Sequence, residues 1–129
     1  MSTIIFSDTI QLVPVAKGRP RFGKGFTYTP AKTRKAEEAL KTILRGLMRG
    51  RQPSREALAL EVSFFLMRPK SVKREHPSVR PDLDNYLKAL MDAGNGIVWE
   101  DDCQIVEIRA AKKYGTPRIQ ILVTLASSP

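Results

Sequence analysis

The residues able to do chemistry are concentrated in one segment, Arg80–Asp102, RPDLDNYLKALMDAGNGIVWEDD. Six of the chain's 13 acids fall there: Asp82, Asp84, Asp92, Glu100, Asp101 and Asp102. Clustered carboxylates repel, and each raises its neighbour's pKa unless a cation neutralises them. A cation is therefore the natural missing component. Oxygen donors of this kind suit hard divalent ions, and Mg²⁺ is typically held by a few carboxylates, water and a substrate phosphate. Within a regular helix, Asp82 and Asp84 would point about 200° apart. They converge if Asp82 stays extended ahead of the first turn, and Pro81 favours an extended residue before it. Asp102 is expected alongside them, carried from the start of the next strand by the glycine turn at 94–96. Lys88 lies one turn after Asp84, so its ammonium is expected to reach the same site.

The same residues admit a purely structural reading. Asp82 is a good N-cap, and Asp84 in the first turn complements the helix dipole. Asp84–Lys88 and Lys88–Asp92 are ordinary i,i+4 pairs, each contributing about 0.2–0.5 kcal/mol. Glu100-Asp101-Asp102 can be an acidic turn before a strand. Capping explains Asp82 but not why six acids gather in a basic chain, and a metal-binding Asp can also cap.

Other chemistries find less support. The lone His76 lies in a loop with no clear nucleophile beside it, so it reads as a solvated residue. Lys17–Gly25 has glycines and cations but lacks the strand–GxxxxGK[ST]–helix order of a phosphate-binding loop. The single Cys103 excludes an intramolecular disulfide and a zinc site built on paired cysteines.

The rest of the chain supplies positive charge. With 22 Lys and Arg among 129 residues the net charge is +9, which favours a polyanionic partner, nucleic acid first. Lys17, Arg19, Arg21 and Lys24 lie in one loop, and Arg68, Lys70, Lys73, Arg74 and Arg80 in another. Both could cradle phosphates beside the carboxylates, giving affinity without reading sequence. Alternatively they are solvated charged loops. No apolar run is long enough to span a membrane, and Met1–Val13 lacks the layout of a signal peptide, so a cytoplasmic protein is expected.

The elements that must position these groups follow from hydrophobic period. Thr3–Val13 is rich in β-branched residues and reads as a strand. Pro14–Pro30 is a basic, glycine-punctuated hairpin or loop with Phe22, Phe26 and Tyr28 interleaved. Thr29-Pro30 opens a helix whose apolar residues, from Ala36 to Met48, keep a 3.6 period until Gly50. Glu56–Met67 alternates as a strand. Pro81-Asp82 opens a second helix with Leu83, Tyr86, Leu87, Leu90 and Met91 as its stripe, stopped by Gly94-Asn95-Gly96. Gln104–Lys113 and Arg118–Leu125 are strands. The expected architecture is one α+β domain, residues 1–129, with two helices on one face of a mixed or mostly antiparallel sheet.

Asp82-Leu83-Asp84-Asn85, then Lys88, Asp92, Asn95-Gly96-Ile97 and Asp101-Asp102, resembles the RusA family of Holliday-junction resolvases. Lys17-Gly18-Arg19-Pro20-Arg21, followed by Tyr28-Thr29-Pro30, is similar to phage-borne members. The resemblance covers about Pro14 to Lys113. It implies a RusA-like fold and an endonuclease that acts in DNA recombination and repair. It also implies a homodimer, dependence on Mg²⁺ (with Mn²⁺ able to substitute) and cleavage of four-way DNA junctions. By position, the family's metal-binding catalytic aspartates match Asp82, Asp84 and Asp102, and its catalytic lysine matches Lys88. Asp92 and Asp101 match supporting acids. One departure is Gly94, where the family carries a bulky apolar residue, often Leu; a shorter or looser second helix is expected there. Two other functions compete: a non-catalytic nucleic-acid-binding protein, and a metal-dependent nuclease for other branched DNA or RNA.

Overall fold

The computed structural model describes residues 3–18, 21–23, 26–28 and 31–127, without the side chains of 21–23 and 26–28. The element order is β1 (Ile4–Ile10), β2 (Arg21–Gly23), β3 (Phe26–Tyr28), α1 (Ala31–Met48), β4 (Leu58–Leu66), α2 (Leu83–Gly94), a 3₁₀ turn (Asp102–Gln104), β5 (Ile105–Tyr114) and β6 (Arg118–Leu125). β2 and β3 form the expected hairpin in the basic segment. Arg19, Lys24, Thr29 and Pro30 lie outside the described residues, so the cap expected at Thr29-Pro30 does too.

The main sheet has the order β1-β6-β4-β5. β6 runs antiparallel to both β1 and β4, while β4 and β5 are parallel. The sheet is thus mixed, and both helices cover one face, as the α+β reading expects. Alternation along β4 puts Leu58, Leu60, Val62 and Phe64 into the core, opposite Ile119, Ile121 and Val123 of β6. Leu40, Leu44 and Met48 of α1 and Tyr86, Leu90 and Ala93 of α2 close over them. A large apolar side chain buried in this way contributes about 1.5–3 kcal/mol. The Phe64 and Tyr86 rings meet at 5.5 Å, which fixes α2 against β4.

Parallel neighbours need a crossover, and α2 is the one that joins β4 to β5. Such a helix runs antiparallel to its strands. Its N-terminus therefore lies at the C-terminal ends of β4 and β5, and its C-terminus at their beginnings. This direction decides where each acid of the segment ends up.

Candidate active site

Asp82 occupies the N-cap position of α2 with extended backbone, φ −71° and ψ 149°, but its side chain makes no capping hydrogen bond. Only the Asp82 backbone carbonyl serves the first turn, accepting from the Asn85 amide at 3.1 Å. Asp84 follows in that turn, and both carboxylates are exposed. Neither forms a side-chain hydrogen bond or salt bridge among the described residues. The capping reading thus fits the position of Asp82 but not its carboxylate.

The other acids of the segment have partners. Asp92 accepts from the Lys17 ammonium at 2.6 Å and faces Lys88 at 3.7 Å. Glu100 pairs with Arg55 at 3.4 Å. Asp101 caps the 3₁₀ turn: its carboxylate accepts from the Cys103 amide at 3.3 Å, and its own amide donates to Gln104 at 2.9 Å. The Asn95 amide donates to Asp102 at 3.4 Å. Of the six acids, Asp82 and Asp84 are the two without a side-chain partner among the described residues.

Asp102 is not brought beside them. It lies against Asn95, the residue after the last turn of α2, whereas Asp82 and Asp84 flank the first turn. A 12-residue helix separates its ends by about 18 Å. Among the described residues no three His, Cys, Asp or Glu side chains gather closely enough to hold one ion. The turn at 94–96 does reverse the chain, but the reversal delivers Asp102 to the C-terminal end of the crossover helix. β5 then needs its whole length to return to the N-terminal end.

The residue that arrives there is Lys112, which the sequence reading passed over. Its ammonium donates to the carbonyls of Val79 at 2.8 Å and Pro81 at 2.9 Å. Lys112 stands opposite the buried Phe64, on the helix-covered face. A signal existed: alternation along Ala110, Ala111, Lys112, Lys113 assigns one of two adjacent lysines to the inner face.

A cleft of about 590 Å³ opens at the N-terminal end of α2, lined by Ala16, Lys17, Gly18, Arg80, Pro81, Asp82 and Asn85. The basic segment therefore begins beside the free carboxylates. Lys17, expected on a phosphate backbone with Arg19, Arg21 and Lys24, has its charge met within the chain. Its amide donates to Asn85 O at 3.0 Å, and its ammonium reaches both Asp92 and Glu37. Burial pulls its pKa down, but the two carboxylates outweigh burial and the net shift is upward. Arg80 is exposed on the cleft wall, and Lys88 is 65% exposed with Asp92 its ion-pair partner among the described residues. Asp84–Lys88, the other expected i,i+4 pair, is not formed.

Gly94 is buried as the last residue of α2, and the helix is complete up to it rather than loosened. Trp99 packs on it and donates from Nε1 to Met91 O at 3.1 Å and Asn95 Oδ1 at 3.0 Å. That indole locks the turn from which Asn95 reaches Asp102.

Two exposed carboxylates, a lysine one turn on and a basic hairpin, carried on a mixed α+β sheet, fit a small nuclease. More narrowly, residues 11–124 match the family model described as Endodeoxyribonuclease RusA, and the chain belongs to that family. It is 29% identical over 137 residues to an uncharacterized protein, YqaN, of Bacillus subtilis (strain 168), covering 93% of this chain and 96% of that relative. The family's activity is endonucleolytic resolution of Holliday junctions, as the motif resemblance implied.

Proposed function

We propose that this protein is a divalent-metal-dependent endonuclease that resolves four-way DNA junctions as a homodimer, in bacterial recombination and repair. The observation that carries the reading is the pair Asp82 and Asp84. Both are exposed, Asp82 lines the cleft, and neither is used by capping or ion pairs among the described residues. All their donors are carboxylate oxygens, which fits Mg²⁺ or Mn²⁺. An ion held there supplies a water of lowered pKa and neutralises charge at the phosphate. Lys88, four residues after Asp84 and exposed, is assigned to the charge that develops on the scissile phosphate. Arg19, Arg21, Lys24 and Arg80 hold the backbone of the junction arms. Lys17 fastens the arm to α2 by its backbone bond and ion pairs.

Asp102 enters this site from a second copy. β5 is an edge strand, and its inner face exposes Val106 and Ile108, 65% and 42% accessible. An unpaired edge of this kind is a template for another strand. Antiparallel pairing about a two-fold axis at Ile108 sets Glu107 of each copy opposite Arg109 of the other. Sliding by one side-chain pair opposes Glu107 or Arg109 to itself, which charge repulsion disfavours. In the favoured register Lys112 of one copy faces Gln104 of the other. The Asp82 turn of one copy then stands next to Asp102 of its mate. Each dimer carries two such sites, matching the two-fold symmetry of a junction.

The test is cleavage of a four-way junction, a linear duplex and structured RNA, with Mg²⁺ and with EDTA. Mg²⁺-dependent cleavage of the junction alone is expected. Binding without product supports a non-catalytic DNA-binding protein, and preferential cutting of RNA or other branched DNA supports a different substrate. Asp84→Asn should abolish cleavage and leave junction binding intact. Mixing Asp84→Asn with Asp102→Asn chains tests the shared site: heterodimers regain one intact site, whereas sites confined to one chain stay dead in every combination.

A further inference from the structure

We propose that Lys112 is a positioning residue that sets the Asp82 carboxylate for metal binding; the proposal rests on the metal-dependent reading above. Among the described residues, Lys112 is the side chain that hydrogen-bonds the carbonyls of the turn leading into Asp82. Two of the three N–H groups of the ammonium are spent on Val79 O and Pro81 O, at 2.8 and 2.9 Å. Pro81 is the residue directly before Asp82, so holding its carbonyl fixes the peptide that leads into the Asp82 Cα. The flanking residues Ser78, Val79, Arg80, Pro81 and Asp82 are all exposed and bury little of their own to hold the turn in place.

The base of the anchor is rigid. Lys112 sits in β5 opposite Phe64, which is 1% exposed, so its stem rises from the packed part of the sheet. Its neighbour Lys113 points to the opposite face and stands over the Phe65 ring at 5.9 Å. The two adjacent lysines thus have separate duties, and of the two Lys112 is the one that hydrogen-bonds the turn. Partners that orient a ligand without touching the ion typically govern about 10–100-fold of metal affinity or activity.

The experiment compares Lys112→Met, Lys112→Arg and Lys113→Met with the parent chain. Free Mn²⁺ is followed by electron paramagnetic resonance to obtain binding without DNA. Lys112→Met should weaken Mn²⁺ binding about tenfold or more and raise by the same factor the Mg²⁺ concentration giving half-maximal junction cleavage. The rate at saturating Mg²⁺ should stay near the parental value. Lys112→Arg, which still offers two donors to the carbonyls, should recover most of the loss, and Lys113→Met should match the parent. In the metal-free protein, amide exchange of Asn85, whose N–H bonds Asp82 O, should accelerate in Lys112→Met alone. Parental Mn²⁺ affinity and Asn85 exchange in a folded Lys112→Met protein would overturn the proposal. Parental protein that neither binds Mn²⁺ nor cleaves in Mg²⁺ overturns the metal reading instead. Faster Asn85 exchange in Lys112→Met would then still support its hold on the turn.

Discussion

Trp99 occupies the space that a side chain at position 94 would need. A Cβ built on Gly94 would stand 2.7 Å from Trp99 Cε2 and 2.9 Å from Cη2, inside any normal contact. The indole is 1% exposed and its single N–H is shared between Met91 O and Asn95 Oδ1, which holds the ring in place. In this chain the glycine and the indole are one unit.

Gly94→Ala tests that coupling. Helix propensity alone favours Ala by about 1 kcal/mol. Overpacking typically costs about 1–3 kcal/mol, and at these distances it should win. The expected result is a thermal midpoint several degrees lower, with weakened junction cleavage because Asn95 and Asp102 shift with the turn. An unchanged or higher midpoint would show that the ring relocates freely.

Lys88 separates catalysis from helix stability. Its one ion pair among the described residues, to Asp92 at 3.7 Å, is surface-exposed on the lysine side. Such a pair contributes at most about 0.5 kcal/mol, and Ala has the better helix propensity. Lys88→Ala should therefore melt within a degree or two of the parent. In single-turnover junction cleavage it should lose on the order of 100-fold or more, the size of effect seen when a preorganised charge stabiliser is removed. Lys88→Arg keeps the charge but not its shape or hydration, and should rescue only in part. Parental turnover in a folded Lys88→Ala protein would leave Lys88 as a solvated helix residue.

Lys17 gives a pH signature. Burial lowers its affinity for the proton, but Asp92 and Glu37 raise it further, so the folded pKa lies above the ordinary 10.5. A group with a raised folded pKa stabilises fully below its unfolded value, and the contribution fades as pH climbs through the folded one. Replacing it by Met should lower stability by about 1 kcal/mol at neutral pH, the upper range for a partly exposed pair. The gap between the two melting curves should stay constant to about pH 10 and close above the unfolded value. A gap that closes near neutrality would assign the stabilisation to another group.

Local pattern was enough to place the elements. Alternation from Arg118 to Leu125 marks β6 to the residue, and Glu56–Met67 contains β4 with its ends trimmed to Leu58–Leu66. The stripe from Leu83 to Met91 marks α2, and the ordered Asp82, Asp84, Lys88, Asp101, Asp102 pattern carries the family. These features depend on side-chain period and spacing along one stretch of chain, which the sequence states directly. Which acids meet depends instead on direction. Because β4 and β5 pair in parallel, α2 must run against them. The chain then reaches Asp102 at the far end of the helix and Lys112 at the near one. Sheet pairing between segments some 40 residues apart decides that, through hydrogen bonds and a shared core that no local pattern encodes. Lys17 shows the same division: its charge is visible in the sequence, but only packing against α1 and α2 commits that charge to Asp92 and Glu37.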